Sequence, residues 1–309
     1  MTDRTALVAA ARDTIAKGSQ SFAAASRLFA PDVRERAWLL YSWCRAADDM
    51  TDGQELGHGA KAGASPLAVQ DRLEALTWAA LDSEDDVPLP FAALRQVVRE
   101  TAMPRGFVAD HLAGFALDAA QWRPRDQDDL LRYCYHVAGS VGCMMAVVMG
   151  VSPKDEDTLD RACDLGLAFQ LANIARDVVP DALVGRCYLP GHWLALHGLK
   201  QEALADPANR LAVSAMAGRL VGLARPFRCS ARVGAARLPF RSRMAVLAAD
   251  GIYGAIGEQV AELGGQAWDQ RVRVSGAGKL GQLCLAVFRG LRPAAEAPRT
   301  GLWTRPRQS

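Results

Sequence analysis

The chain has 309 residues, half of them hydrophobic, with a formal net charge of +2. That hydrophobic share excludes an intrinsically disordered chain and is enough to build a sizeable core. β-Branched residues are sparse beside Ala, Leu and Arg, so the predicted fold class is all-α.

Residues 4–16 form a first amphipathic helix, ended by Lys17-Gly18. Ser19, Ser21 and Phe22 precede a short Ala-rich helix, for which the serines are natural N-caps. Pro31 and Asp32 open a second long helix in which Tyr41, Arg45, Asp48 and Asp52 fall at offsets 0, 4, 7 and 11. These positions share one helix face. The Gly-rich stretch GQELGHGAKAGASP follows as a loop. Helices are predicted over 67–83, 88–103 and 106–122; the last carries Asp110 and Asp118, whose spacing says little by itself.

Residues 129–150 form an apolar helix interrupted by Gly139 and Gly142, each costing about 1 kcal/mol relative to Ala in a helix interior. Close helix contact or a ligand against bare backbone would justify them. In the second case Ser140, Met144, Met145 and Met149 line an apolar tunnel, although a Met stripe is more often core. Tyr133 and Tyr135, two residues apart, cannot both face it.

The second polar line follows in CDLGLAFQLANIARDVVPDALVGRCYLP, residues 163–190, with Gln170, Asn173, Asp177 and Asp181 at offsets 0, 3, 7 and 11. Pro180 is expected to kink or end this helix and displace Asp181. Further helices are predicted over 202–226, 238–264 (with Tyr253) and 279–289, with a basic segment holding Arg271, Arg273 and Lys279 before the last. The main domain spans residues 1–290; the Pro/Arg-rich tail 291–309 is expected to be poorly ordered.

The polar lines repeat one construction: two Asp at i and i+4, about 6 Å apart along the axis, with an Arg (Arg45, Arg176) beside them. Either pair alone is most simply a solvated helix face. Facing each other across a bundle, the two pairs make a four-carboxylate cage that needs cations. Mg²⁺ fits, since it takes hard oxygen ligands and is commonly held by one or two carboxylates plus substrate phosphates. The expectation is a Mg²⁺-diphosphate site.

Residues 219–309 hold 15 Lys/Arg against 5 Asp/Glu, a balance of +10 that leaves −8 for residues 1–218. A basic C-terminal third suits a diphosphate or an anionic membrane surface. No nucleic acid is expected, since the basic residues are scattered among apolar helices without a binding motif. Seven cysteines with no CxxC pattern, among them Cys44, Cys134, Cys143, Cys163 and Cys284 in apolar runs, read as small buried hydrophobes in a reducing compartment. The N-terminus lacks the pattern of a signal peptide, and the apolar run 137–151 is short for a spanning helix. The expected location is cytoplasmic, with peripheral contact at the inner membrane, and the expected state a monomer or weak oligomer.

The stretches SQSFAAASRLF, LYSWCRAADDMTD, RYCYHVAGSVG, QLANIARDVVPDALVGRCYLP and AWDQRVRVS, in this order, closely resemble the squalene/phytoene synthase family, most of all its bacterial phytoene synthases. The resemblance runs over nearly the whole chain. It implies a single-domain isoprenoid-synthase helical bundle with a central cavity. It also implies that Asp48, Asp52, Asp177 and Asp181 hold Mg²⁺, or Mn²⁺ in its place, with Asn173 and Gln170 in support. Arg45, Arg176 and Arg271 match diphosphate contacts; Tyr41 lies in the matched first acid helix beside the substrate. Ser19, Ser21 and Phe22 match the substrate-binding segment, and Tyr133 and Tyr253 match tyrosines of the reaction cavity. Two departures stand out: Pro180 replaces an acidic residue common in relatives, and Gly18 a basic one.

The implied reaction is head-to-head condensation of two geranylgeranyl diphosphates through a cyclopropyl diphosphate to phytoene, without a nicotinamide cofactor. A squalene or dehydrosqualene synthase using farnesyl diphosphate is the rival within the family. A non-catalytic relative that keeps the fold as a lipid-binding module and a purely structural bundle are the rivals of a different class.

Overall fold

The computed structural model describes residues 3–18, 23, 25–52, 65–292 and 296–307, the Asp52 side chain excepted. Ser19, Ser21, Phe22 and most of the Gly-rich stretch lie outside the described residues. Among those described there is no β-strand. The described residues form an all-α bundle with a central cavity, as expected.

The first half is built from α1 (Arg4–Gly18), α2 (Pro31–Asp52), α3 (Pro66–Asp82), α4 (Leu89–Thr101) and α5 (Arg105–Ala119). α2 packs against α1 and α4 and buries Leu39, Leu40 and Trp43, leaving its polar line on another face. Ser65 caps α3 by accepting from the Ala68 N–H, one of the donors a helix start leaves unpaired.

α6 (Gln127–Cys134) begins at Asp126, whose side chain accepts from the Asp129 N–H, and passes through a π-helical turn, Tyr135–Gly139, into α7 (Ser140–Val148). Close contact accounts for the glycines here. A Cβ on Gly142 would lie 2.4 Å from the Ala162 carbonyl oxygen, so only a bare Cα lets α7 approach the next helix. That helix, α8 (Glu156–Leu183), is the longest; Gly166 answers from its side, where a Cβ would lie 2.3 Å from the Ala138 oxygen.

α8 continues through Pro180 to Leu183, so the proline does not end the helix. The proline sits on the exposed side of the last turn, where water can replace the one lost backbone bond. After the short α9 (Gly191–Leu196), α10 (Arg210–Ala235) packs along α8. α10 likewise continues past an exposed proline, Pro226, where the sequence suggested its end. α11 (Phe240–Leu263) and α12 (Gly276–Gly290) close the bundle.

Two surface expectations are corrected. Cys284 is exposed, because the outward face of α12 is itself apolar: Leu280, Leu285, Val287 and Phe288 are all exposed there. Cys134, Cys143 and Cys163 are buried as expected, and Cys44 is half-buried. The tail is docked rather than poorly ordered over residues 296–307. Arg299 binds Asp160 and Asp164 at 3.1 and 2.8 Å, and Arg307 binds Glu156 and Asp160 at 2.7 and 2.6 Å. Its arginines pair with carboxylates at the start of α8, which a composition count cannot foresee. No described helix is long and apolar enough to cross a membrane.

Candidate active site

The two polar lines meet. Arg45 and Asp48 of α2 and Gln170, Asn173, Asp177 and Asp181 of α8 line one cavity of about 540 Å³. A further wall comes from Asp118 on α5 and Tyr133 on α6, with Arg186 and Tyr188 from the segment leaving α8.

Arginines sit among these acids. Arg45 binds Asp49 one turn along α2 at 2.6 Å. Arg176 Nε donates to Asp177 Oδ1 at 3.0 Å, and Arg271 Nη2 reaches Asp177 Oδ2 at 3.3 Å, so Asp177 is held from two sides. Burial alone would lower the Arg176 pKa, but the hydrogen bond to Asp177 and the charge of that carboxylate together outweigh it and the pKa is raised. Asp181 shows the crowding of negative charge: burial, then the Asp177 carboxylate, push its pKa up to about 6.

Tyr133 and Tyr188 both donate to Asp118, at 3.1 and 3.0 Å. Their rings stack at 4.8 Å, and Trp122 covers the other side of Tyr133 at 5.9 Å. Burial, followed by the Asp118 charge, raises the Tyr133 pKa well above its ordinary value, so the phenol stays protonated. Tyr135 is equally buried but is directed elsewhere, donating to Asp110 at 2.5 Å and packing near Trp303. Of these two neighbours Tyr133 lines the polar cavity and Tyr135 does not, in line with the two-residue spacing.

A second, apolar cavity of about 380 Å³ adjoins the first, sharing Asp48, His111, Val137, Gln170 and Asn173 with it. Met145, Ala146 and Met149 line it, whereas Ser140 and Met144 belong to the core. Tyr253 also lines it, stacked on Phe169 at 4.1 Å. His111 stands at the junction between Trp43 and Phe115, its Nδ1 3.2 Å from the His136 carbonyl oxygen. Burial pushes its pKa down to about 4, so it is neutral at pH 7.

The structure thus gathers Arg45, Asp48, Gln170, Asn173, Arg176, Asp177, Asp181 and Tyr133 around the polar cavity, with Arg271 at its edge and Tyr253 in the apolar arm. Tyr41 lines neither cavity. A Cβ at Gly18 would lie 2.8 Å from its hydroxyl, so the space a basic side chain at position 18 would need is taken. Ser19, Ser21, Phe22 and the Asp52 side chain are not described. Asp118, Arg186, Tyr188 and His111 are additions that the sequence reading missed. Their partners lie up to 70 positions away, beyond any local pattern.

Among the described residues no three His, Cys, Asp or Glu side chains converge as a ready-made metal centre. The donor set is nevertheless one of hard oxygens: carboxylates from two helices and the amides of Gln170 and Asn173. Such donors suit a divalent cation that completes its shell with water and phosphate oxygens, and a cation there would relieve the repulsion recorded in the raised Asp181 pKa.

A polar cavity lined by carboxylates and arginines thus adjoins an apolar one inside an all-α bundle, one charged chamber beside one hydrocarbon-lined chamber. The chain belongs to the squalene/phytoene synthase family, whose model matches residues 15–293. It is 47% identical to a 15-cis-phytoene synthase from Paracoccus sp. over 97% of this chain and 98% of that one. It is also 47% identical to one from Pantoea ananas, over 95% and 96%. Among solved structures it resembles a dehydrosqualene synthase in complex with ligand (TM-score 0.79, 25% identity, 92% and 96% coverage). The fold is shared by a squalene synthase from Alicyclobacillus acidocaldarius (TM-score 0.74, 19% identity, 84% and 95% coverage).

Proposed function

We propose that the chain is a prenyltransferase that condenses two geranylgeranyl diphosphates head to head, through a cyclopropyl diphosphate, to phytoene with release of both diphosphates. The observation that carries this reading is the meeting of two acid-bearing helices over one polar cavity that continues into an apolar arm. The identity to 15-cis-phytoene synthases over nearly the full chain supports the phytoene assignment over the squalene one.

In this reading Asp48, Asp52, Asp177 and Asp181, with Asn173, hold Mg²⁺, for which Mn²⁺ can substitute. The bound ion supplies positive charge that favours departure of diphosphate. Arg45, Arg176 and Arg271 bind the diphosphate oxygens, for which a planar guanidinium fork is well matched. As diphosphate takes up Arg176 and Arg271, Asp177 is released from both. Tyr41 supports Arg45 from the same face of α2, and Ser19, Ser21 and Phe22 contribute to substrate binding. The apolar arm keeps water from the allylic cation. Tyr253, stacked on Phe169 by one face, offers that cation the other as a π-electron surface, while the Tyr133 hydroxyl is held at the polar cavity by Asp118. The second prenyl double bond captures the cation and loss of a proton closes the cyclopropane; a second ionisation, rearrangement and loss of a second proton complete the hydrocarbon.

The test is mass analysis of the hydrocarbon formed from geranylgeranyl or farnesyl diphosphate, with Mg²⁺ and with chelator. Phytoene from the longer substrate alone, lost with chelator, is expected. A C30 product from farnesyl diphosphate alone would assign the chain to the squalene type.

The raised Asp181 pKa gives a pH dependence. The folded pKa, about 6, lies above the ordinary 3.8, so the fold favours the protonated acid and Asp181 costs stability as pH rises through that window. A cation binds the ionised form and must displace the proton at lower pH. Mg²⁺ with inorganic diphosphate should therefore raise the melting temperature more at pH 7.5 than at pH 5.5, and Asp181→Asn should flatten the difference. An equal shift at both pH values would contradict this assignment.

The face of α12 extends the reading to the site of action. Leu280, Val287, Phe288 and Leu291 are exposed beside the equally exposed Phe240, and Arg292 lies 4.1 Å over the Phe288 ring. α12 carries Lys279 and Arg289 and no acid. An apolar face with a basic rim matches an anionic bilayer surface, where a hydrocarbon product can be delivered. Co-sedimentation with phosphatidylglycerol vesicles is expected to fall several-fold for Phe288→Glu. Unchanged sedimentation would remove α12 from the contact.

A further inference from the structure

The apolar arm ends at a charged residue. Thr158, Arg161 and Ala162 of α8 and Gly234, Ala235 and Leu238 around the end of α10 line its far end, away from the acid line. Asn173 and Arg161 are separated along α8 by about 18 Å at a rise of about 1.5 Å per residue. That span suits a four-isoprene tail lying extended.

Arg161 is only 8% exposed, and a buried guanidinium beside a hydrocarbon cavity requires partners. It has them on the side away from the cavity. Nη1 donates to the Ser230 carbonyl and hydroxyl oxygens at 3.3 and 3.2 Å and to the Ala297 carbonyl oxygen at 3.0 Å; Nε donates to Asp157 at 3.1 Å. The alkyl stem crosses the end of the arm against Gly234, where a Cβ would lie 2.6 Å from Arg161 Cβ. Because Arg161 Cβ is fixed to the α8 backbone, a side chain at position 234 would force α8 and α10 apart.

Ala297 is part of the docked tail. The tail is fastened next to Arg161 by Arg299, Arg305 and Arg307 on Glu156, Asp160 and Asp164, and Trp303 packs near Tyr135. The C-terminal segment is thus a strap across the outside of the arm's end wall, and one of its carbonyls takes a hydrogen bond from the wall residue.

We infer that Arg161, held in place by the C-terminal strap, is a specificity-determining residue that sets the depth of the apolar arm and hence the longest prenyl chain accepted. The inference rests on the prenyl diphosphate reading. Shortening Arg161 removes the wall, whereas an unbranched apolar residue of similar length preserves it without the charge. Loosening the strap lets the guanidinium retreat and deepens the arm.

The experiment is competition between geranylgeranyl diphosphate and its one-unit-longer homologue geranylfarnesyl diphosphate, with full-length protein, read as the ratio of products by mass. Arg161→Ala should shift the ratio toward the longer chain by roughly tenfold or more, the scale on which a hydrophobic pocket discriminates added methylenes. Arg161→Met should keep the wild-type ratio, and Arg307→Gln, outside the cavity, should shift it in the same direction as Arg161→Ala by a smaller factor. A wild-type ratio in a folded Arg161→Ala variant would overturn the inference while leaving the enzymatic reading intact. A wild-type ratio in Arg307→Gln would overturn the part of the strap. Failure of the wild-type chain to turn over either substrate would overturn the prenyl diphosphate reading itself.

Discussion

Asp177→Ala is expected to lower turnover by at least about 10²- to 10³-fold, the effect of removing one preorganised electrostatic group from a charge-stabilising site. Asp177 sits where the cation ligands, Arg176 and Arg271 converge, so its loss removes one anchor and misplaces two others. Asp48→Ala should have a comparable effect from the opposite helix. Neither change should damage the fold. Asp177 contributes to the repulsion that raises the Asp181 pKa, so its removal relieves strain as it removes ion pairs. Diphosphate release, measured beside far-ultraviolet circular dichroism, separates the two effects. Full activity in both variants would remove the carboxylates from the chemistry.

The largest stability effect should come from the other end of α8. Arg299 binds both oxygens of Asp164 at 2.8 Å, and Asp164 is fully buried. Burial raises the Asp164 pKa, with the hydrogen bonds from Arg299 and Ser230 opposing it. Arg299→Ala leaves a buried carboxylate without its forked partner, at a cost of about 3–5 kcal/mol. The carboxylate can escape that cost only by taking up a proton. In the variant its pKa rises further, and stability should fall as pH rises through that value. Urea denaturation should therefore show a larger deficit at pH 8 than at pH 5.5. A deficit below about 1 kcal/mol at both would mean that the strap contributes no more than an exposed ion pair.

The helices and both acid lines were legible in the sequence, because a 3.6-residue period is written locally. Gln170, Asn173, Asp177 and Asp181 fall on one side of α8, and the structure puts them along one cavity. What local pattern could not give was the environment of each residue. Pro180 read as a kink or an end and position 226 as a helix end, but at exposed positions α8 and α10 continue past both prolines. Cys284 read as buried because an apolar run looks the same whether it meets a core or lies open on α12. The tail looked unstructured by composition, yet its arginines meet acids about 140 residues earlier. Asp118 had no motif to mark it; its role at the cavity wall depends on Tyr133 and Tyr188, which only the folded chain brings together.

The most direct measurement is binding of geranylgeranyl thiodiphosphate, whose bridging sulfur suppresses ionisation, by titration calorimetry with Mg²⁺ and with chelator. The two-helix carboxylate site requires that binding weaken at least tenfold without the cation, and that Asp48→Ala or Asp177→Ala weaken it in the presence of Mg²⁺. Equal affinity with and without Mg²⁺, undiminished in both variants, would contradict the site.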